Sequence, residues 1–102
     1  MNLQTQGQSL LREFKLGIDP SVRALDLSSE VGELCKEILK STHYGTRAFQ
    51  PTPNLEMELG DVLFSLLALA SSVNVDLDLA FEQVVTKMRE RLERTGQLGS
   101  SS

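Results

Sequence analysis

Four carboxylates stand on two stretches of this 102-residue chain at matching spacing: Glu30 and Glu33, then Glu58 and Asp61. That spacing keeps each pair on one face of a helix. The second pair lies in Leu55–Ser72 (LEMELGDVLFSLLALASS), a segment apolar almost all the way round. No Lys or Arg occurs between Arg47 and Lys87 to neutralise it. A carboxylate buried without a partner is costly, and the usual remedies are a paired cation, a raised pKa or a bound metal. With no cation nearby in the chain, a divalent metal is the simplest expectation.

The faces sharpen this expectation. At about 100° per residue, Leu27, Val31, Leu34 and Ile38 form an apolar stripe, and Asp26, Glu30, Glu33 and Glu37 fall in an adjoining arc of roughly 60°. Like charges at this spacing repel one another unless a cation sits among them. In the later segment Leu55, Leu59, Val62, Leu66 and Leu69 make one apolar side, with Met57, Phe64 and Ala68 nearly opposite. Glu58, Asp61, Ser65 and Ser72 run between them as a narrow polar seam. The acid arc of the earlier helix is the natural partner for that seam.

Two acid pairs facing each other gather oxygens, which suit a hard divalent cation such as Mg²⁺. That chemistry fits phosphoryl or pyrophosphoryl transfer, where developing charge must be neutralised. No HExxH, Glu-x-x-His or cysteine cluster competes for a softer metal. Further on, Lys87, Arg91 and Arg94 lie within roughly 60° of one another on a helix. Such a basic stripe suits the far end of a polyphosphate.

Each residue also has a plainer reading. A Glu-x-x-Glu pair alone is usually a solvated helix face, and basic residues near a helix C-terminus match its dipole. His43 reads as a solvated loop histidine, Cys35 as a small core residue, and Phe64 as packing. Tyr44, Arg47 and Phe49 sit in a loop within reach of a substrate. The matched pairs, one of them in so apolar a helix, favour chemistry over the plain reading.

Four helical segments must position these groups, and no strand is convincing. The first spans about Asn2–Leu16, weakened by Gly7 and stopped by Gly17. The second starts at Asp19-Pro20, Asp as N-cap and Pro in the first turn, and runs to about Lys40. Ser41–Thr52 is a loop. The third, capped by Thr52 or Asn54, ends near Ser72. Asp76 caps the fourth, Leu77–Arg94, whose Leu77, Phe81, Val84, Met88 and Leu92 repeat every three or four residues. Short connections imply an all-α, antiparallel four-helix bundle. The two-sided apolar third helix implies a central position or a shared subunit interface.

Size and composition allow one domain, 1–95, with a disordered tail over 96–102. Hydrophobic residues are 40%, charged residues 24% and the net charge −4. A nucleic-acid partner is disfavoured by that acidity. The single Cys35 suits a reducing compartment. The polar N-terminus does not read as a signal peptide, and Val62–Ala70 is shorter than the roughly 20 residues a membrane span needs. A cytoplasmic protein without a membrane partner is expected.

The motif flanks carry a resemblance. Glu30-Val31-Gly32-Glu33 within LSSEVGELCKEI, followed by Glu58-Leu59-Gly60-Asp61 within MELGDVLFSLLALA, resembles the ExxE…ExxD signature of MazG-type nucleoside triphosphate pyrophosphohydrolases. These belong to the all-α NTP pyrophosphatase superfamily. The likeness covers most of Asp19–Arg94. It implies that Glu30, Glu33, Glu58 and Asp61 bind Mg²⁺, with Mn²⁺ as a substitute, and that an NTP is cleaved to NMP and pyrophosphate. It implies a homodimer or homotetramer. Glu37 is an additional acid for a second metal or for orienting the attacking water, and Glu33 or Glu37 is the general base. Lys87 and Arg91 fall where the family carries phosphate-contacting basic residues. Here that segment reads KMRERL, and Val85 and Thr86 stand where the family often has Asn before the Lys. The expectation is therefore a Mg²⁺-dependent pyrophosphohydrolase cleaning the nucleotide pool. A nucleotide-binding regulatory module without turnover, a structural helical oligomer, and a phosphoribosyl-ATP or dCTP pyrophosphatase stay open as alternatives.

Overall fold

Side-chain caps fix three of the four helix starts in the computed structural model, which describes residues 2–96. The helices are α1 (Leu3–Glu13), α2 (Pro20–Ser41), α3 (Leu55–Ser72) and α4 (Leu77–Thr95), and no strand occurs among the described residues. The Asn2 side chain accepts from the Thr5 N–H at 2.7 Å, and Asp19 accepts from the Ser21 N–H at 2.9 Å with Pro20 in the first turn. Asp76 accepts from the N–H groups of Asp78 and Leu79 at 2.9 and 3.3 Å. These bonds satisfy donors that a helix start otherwise leaves open. α3 is the exception. Asn54 occupies its cap position without a side-chain hydrogen bond. The Thr52 hydroxyl, the other expected cap, donates to Glu37 instead.

The expected stop of α1 moves. The helix ends at Glu13, and the chain reverses at Lys15 (φ 55°) rather than at Gly17. The Leu16 N–H then reaches back to the Leu11 carbonyl at 2.9 Å, closing the end of α1 before Gly17 is reached. At the other end of the chain, Gly96 takes the left-handed conformation (φ 74°) that terminates α4. The rest of the expected disordered tail lies outside the described residues.

α3 is central. α2 packs along one side of it and α1 crosses another. Gly7 marks the closest approach of α1: a Cβ added there would stand 3.2 Å from the Leu67 Cβ. The glycine that weakens α1 as an isolated helix is what lets the two backbones meet. Leu11, Leu67, Ala68 and Ala70 form the buried apolar core. Cys35, expected in the core, is exposed.

α4 leaves this arrangement. Its axis turns by 102° from that of α3. The amide of Gln4 in α1 holds the turn from both sides, donating to the Val75 carbonyl at 2.6 Å and accepting from the Leu77 N–H at 2.9 Å. α4 has no packing comparable to that of α1 and α2 on α3, and its Leu79, Phe81, Val84, Met88 and Leu92 are all exposed. The radius of gyration is 16.8 Å. A compact chain of this length measures about 13 Å. All four expected helices are present, but within one chain only three pack together. No single helix among the described residues is long and apolar enough to cross a membrane.

The Gly7 contact yields a prediction. Gly7→Val drives a branched side chain into Leu67, and overpacking of this kind costs about 1–3 kcal/mol. The variant should melt at a lower temperature by circular dichroism. An unchanged melting temperature would mean that α1 does not dock on α3 as described.

Candidate metal centre

The packing of α2 on α3 brings acids from both helices together. Glu30 from α2 and Glu58 and Asp61 from α3 each place a carboxylate oxygen within 4.8 Å of the others. α2 presents Glu30 beside the face that meets α3, and α3 presents Glu58 and Asp61 from its polar seam, where Ser65 is buried one turn further on. Glu30 and Glu58 are half-buried and Asp61 is exposed. The seam is therefore open on one side rather than sealed, contrary to what so apolar a helix suggested. The reason is that α3 itself is only partly covered: Met57, Leu59, Leu63 and Leu66 are exposed too.

The electrostatics follow from this crowding. Glu58 has its pKa raised above the ordinary 4.5, first by partial loss of hydration and then by repulsion from Asp61, Glu33, Glu30 and Glu37, in that order. Every charge acting on it is negative. The cluster has the donors of a cation site and no cation of its own. All of those donors are carboxylate oxygens, with neither His nor Cys among them, a set that fits a hard divalent ion better than a soft one.

The remaining expected residues fall in different places. Glu33 is exposed and lies outside the three-acid group, near enough for its charge to reach Glu58. Glu37 is buried and already engaged: it accepts the Thr52 hydroxyl proton on one oxygen, and Lys40 Nζ stands 4.0 Å from the other. It ties the loop that leads into α3 to the end of α2. Lys87 and Arg91 lie on α4, which packs substantially on neither α2 nor α3. Among the loop residues, Tyr44 and Phe49 are exposed, and His43 and Tyr44 take left-handed backbone angles in the turn after α2.

Two participants were missed from the sequence. Thr52 holds Glu37, a pairing across 15 positions that no local pattern signals. Arg23 is buried on α2 and pairs with Asp26, Nη2 to Oδ2 at 3.0 Å. The i,i+3 spacing of those two is a visible signal for the pair, though not for its burial.

The model of the MazG nucleotide pyrophosphohydrolase domain matches residues 20–95, which contain all four acids of the two pairs. An uncharacterized protein, YpjD of Bacillus subtilis (strain 168), is 32% identical over 94 residues, covering 88% of this chain and 83% of the relative. No solved structure matches the chain.

The raised pKa of Glu58 gives a pH-dependent test. The fold disfavours its ionised form, so the penalty is absent below pH 4.5, where Glu58 is protonated folded or unfolded, and it develops as pH rises through the folded value. Glu58→Gln should therefore raise the melting temperature of the metal-free protein at neutral pH. The advantage should shrink as the pH falls toward 4.5. Thermal unfolding in chelator across that range checks it, and a variant no more stable than the parent at neutral pH would contradict it.

Proposed function

The chain belongs to the MazG nucleotide pyrophosphohydrolase family, and on that premise we propose that it is a Mg²⁺-dependent enzyme splitting (d)NTPs into (d)NMP and pyrophosphate. The observation that carries this reading is the convergence of Glu30, Glu58 and Asp61 within 4.8 Å, with no ion pair to any of them among the described residues. Those three carboxylates would hold the ion. When bound, a divalent ion there supplies charge neutralisation for the polyphosphate and acidifies a water.

The chain's own groups do the rest. A water attacks the α-phosphorus, the bond from that phosphorus to the α,β-bridging oxygen breaks, and the bridging oxygen leaves with pyrophosphate. Glu33 is the better candidate to take the water's proton, because it is exposed beside the cluster. Glu37 has its carboxylate committed to Thr52 and Lys40. It acts by fixing the loop against α2, and serves a second metal or the water only if that bond is released. Lys87 and Arg91 are the candidates for phosphate oxygens.

The same reading includes a homodimer or homotetramer. A second copy would cover the apolar stripe of α4, which is exposed among the described residues. It is also the arrangement by which a basic helix standing off its own bundle reaches an acid cluster. The free Cys35 suits the reducing cytoplasm.

Incubating the purified chain with Mg²⁺ and a panel of (d)NTPs should release pyrophosphate. Asp61→Asn should lower turnover by more than about a hundredfold while leaving the helical circular dichroism intact. Nucleotide binding without pyrophosphate release would instead identify a regulatory module.

A further inference from the structure

A cavity of about 240 Å³ adjoins the acid cluster. Leu16, Phe64 and Ala68 form its apolar wall, and Arg23, Asp26, Glu30 and Ser65 its polar wall. Glu30 belongs to both the cavity and the cluster. A ligand with its phosphates at the cluster therefore has its next moiety at the mouth of this space. The volume falls below the roughly 300–1,000 Å³ usual for sites that enclose a whole small ligand, so it takes a base rather than a nucleotide.

Its chemistry is set by Arg23. That residue is only 8% exposed, its Nη2 is paired with Asp26, and its buried Nε–H has no acceptor among the described residues. A guanidinium offers donors only, and a buried donor left unpaired is costly. The polar wall carries one cation against two carboxylates, Asp26 and Glu30. It therefore disfavours a phosphate. What fits is a neutral, flat group with an acceptor at its edge, lying against Phe64 and Leu16.

We propose that this cavity receives the base of the nucleotide, and that Arg23 selects bases presenting an exocyclic carbonyl oxygen over those presenting an exocyclic amine. The assignment rests on reading the acid cluster as the polyphosphate site. A carbonyl oxygen accepts from the guanidinium, whereas an amine there meets another donor, since Asp26 is already paired to Arg23 and Glu30 belongs to the acid cluster. The same rule operates when proteins read DNA: Arg pairs with the oxygen and N7 of guanine, while adenine, with its amine, is read by Asn or Gln.

The test uses the full chain with Mg²⁺ and two matched pairs that exchange one oxygen for one amine: dITP against dATP, and dUTP against dCTP. kcat/KM should favour the oxo member of at least one pair by about tenfold or more. The pair that shows it identifies the ring as purine or pyrimidine. Calorimetric titration with the corresponding monophosphates should show the same order without any turnover. Arg23→Gln, which offers an acceptor beside its donor, should abolish or invert the preference, and Arg23→Lys should keep part of it. If Arg23→Gln does not fold by circular dichroism, Arg23→Lys and the monophosphate affinities decide. Ratios near one in the parent protein, or a preference unchanged in a folded Arg23→Gln, would overturn the assignment of Arg23 while leaving the pyrophosphohydrolase standing. Absence of pyrophosphate from every nucleotide would overturn the polyphosphate reading, and this assignment with it.

Discussion

Like charges forced together at the junction of α2 and α3 are the constraint around which the molecule is arranged. Glu30, Glu58 and Asp61 converge within 4.8 Å, and Glu33 and Glu37 add to the field at Glu58. Among the described residues no ion pair reaches Glu30, Glu58 or Asp61; Lys40 stands beside Glu37 alone. The apolar contact between the two helices has to hold the acids in place against their repulsion. Two small residues, Ser65 and Ala68, lie beside the acids. Both are buried on α3, and they line the cavity that α2 closes with Arg23, Asp26 and Glu30 on the side where the acids lie. A cluster assembled in this way owes its geometry to helix packing rather than to a flexible loop.

The loop after α2 is nonetheless tied into that geometry. Gln50 returns a backbone bond to Ser41 at 2.8 Å, Ser41 is fully buried with its hydroxyl bonded to the Glu37 carbonyl, and Thr52 reaches the Glu37 carboxylate. The last turn of α2 thus anchors both ends of the loop. An acid that by its spacing alone belongs with Glu30 and Glu33 is turned into an anchor because the chain returns past it.

How far the sequence could be read depended on the range of the interactions involved. α3 was legible to its last residue, since a continuous apolar run bounded by turn formers leaves little choice. Asp19-Pro20 and Asp76 announced the starts of α2 and α4 because capping is a local event between neighbours. Helical phase also made the meeting of Glu30 with Glu58 and Asp61 legible, although Glu33, expected with them, lies outside that group. The failures involve contacts distant in sequence or competition for a group. Thr52 was free to cap α3 or to bind Glu37, and only the folded loop decides. Gly17 was an obvious stop, yet Lys15 turned first. Cys35 is apolar by type, but it lies on a face of α2 that α3 does not cover. The direction of α4 was invisible, since a short connection constrains distance and not angle.

That direction is set from the far end of the chain. Gln4 grips the Val75 carbonyl and the Leu77 N–H with one amide group, so the first helix acts as a bracket for the last. The bracket is stiff along one line and carries little apolar contact to resist rotation about it. α1 in turn sits on α3 through the narrow contact of Gly7 with Leu67. A displacement of α1 by a fraction of an ångström at that fulcrum would be magnified along the length of α4, which carries Lys87 and Arg91. The direction in which α4 carries Lys87 and Arg91 thus depends on the N-terminal helix, through the two bonds of Gln4.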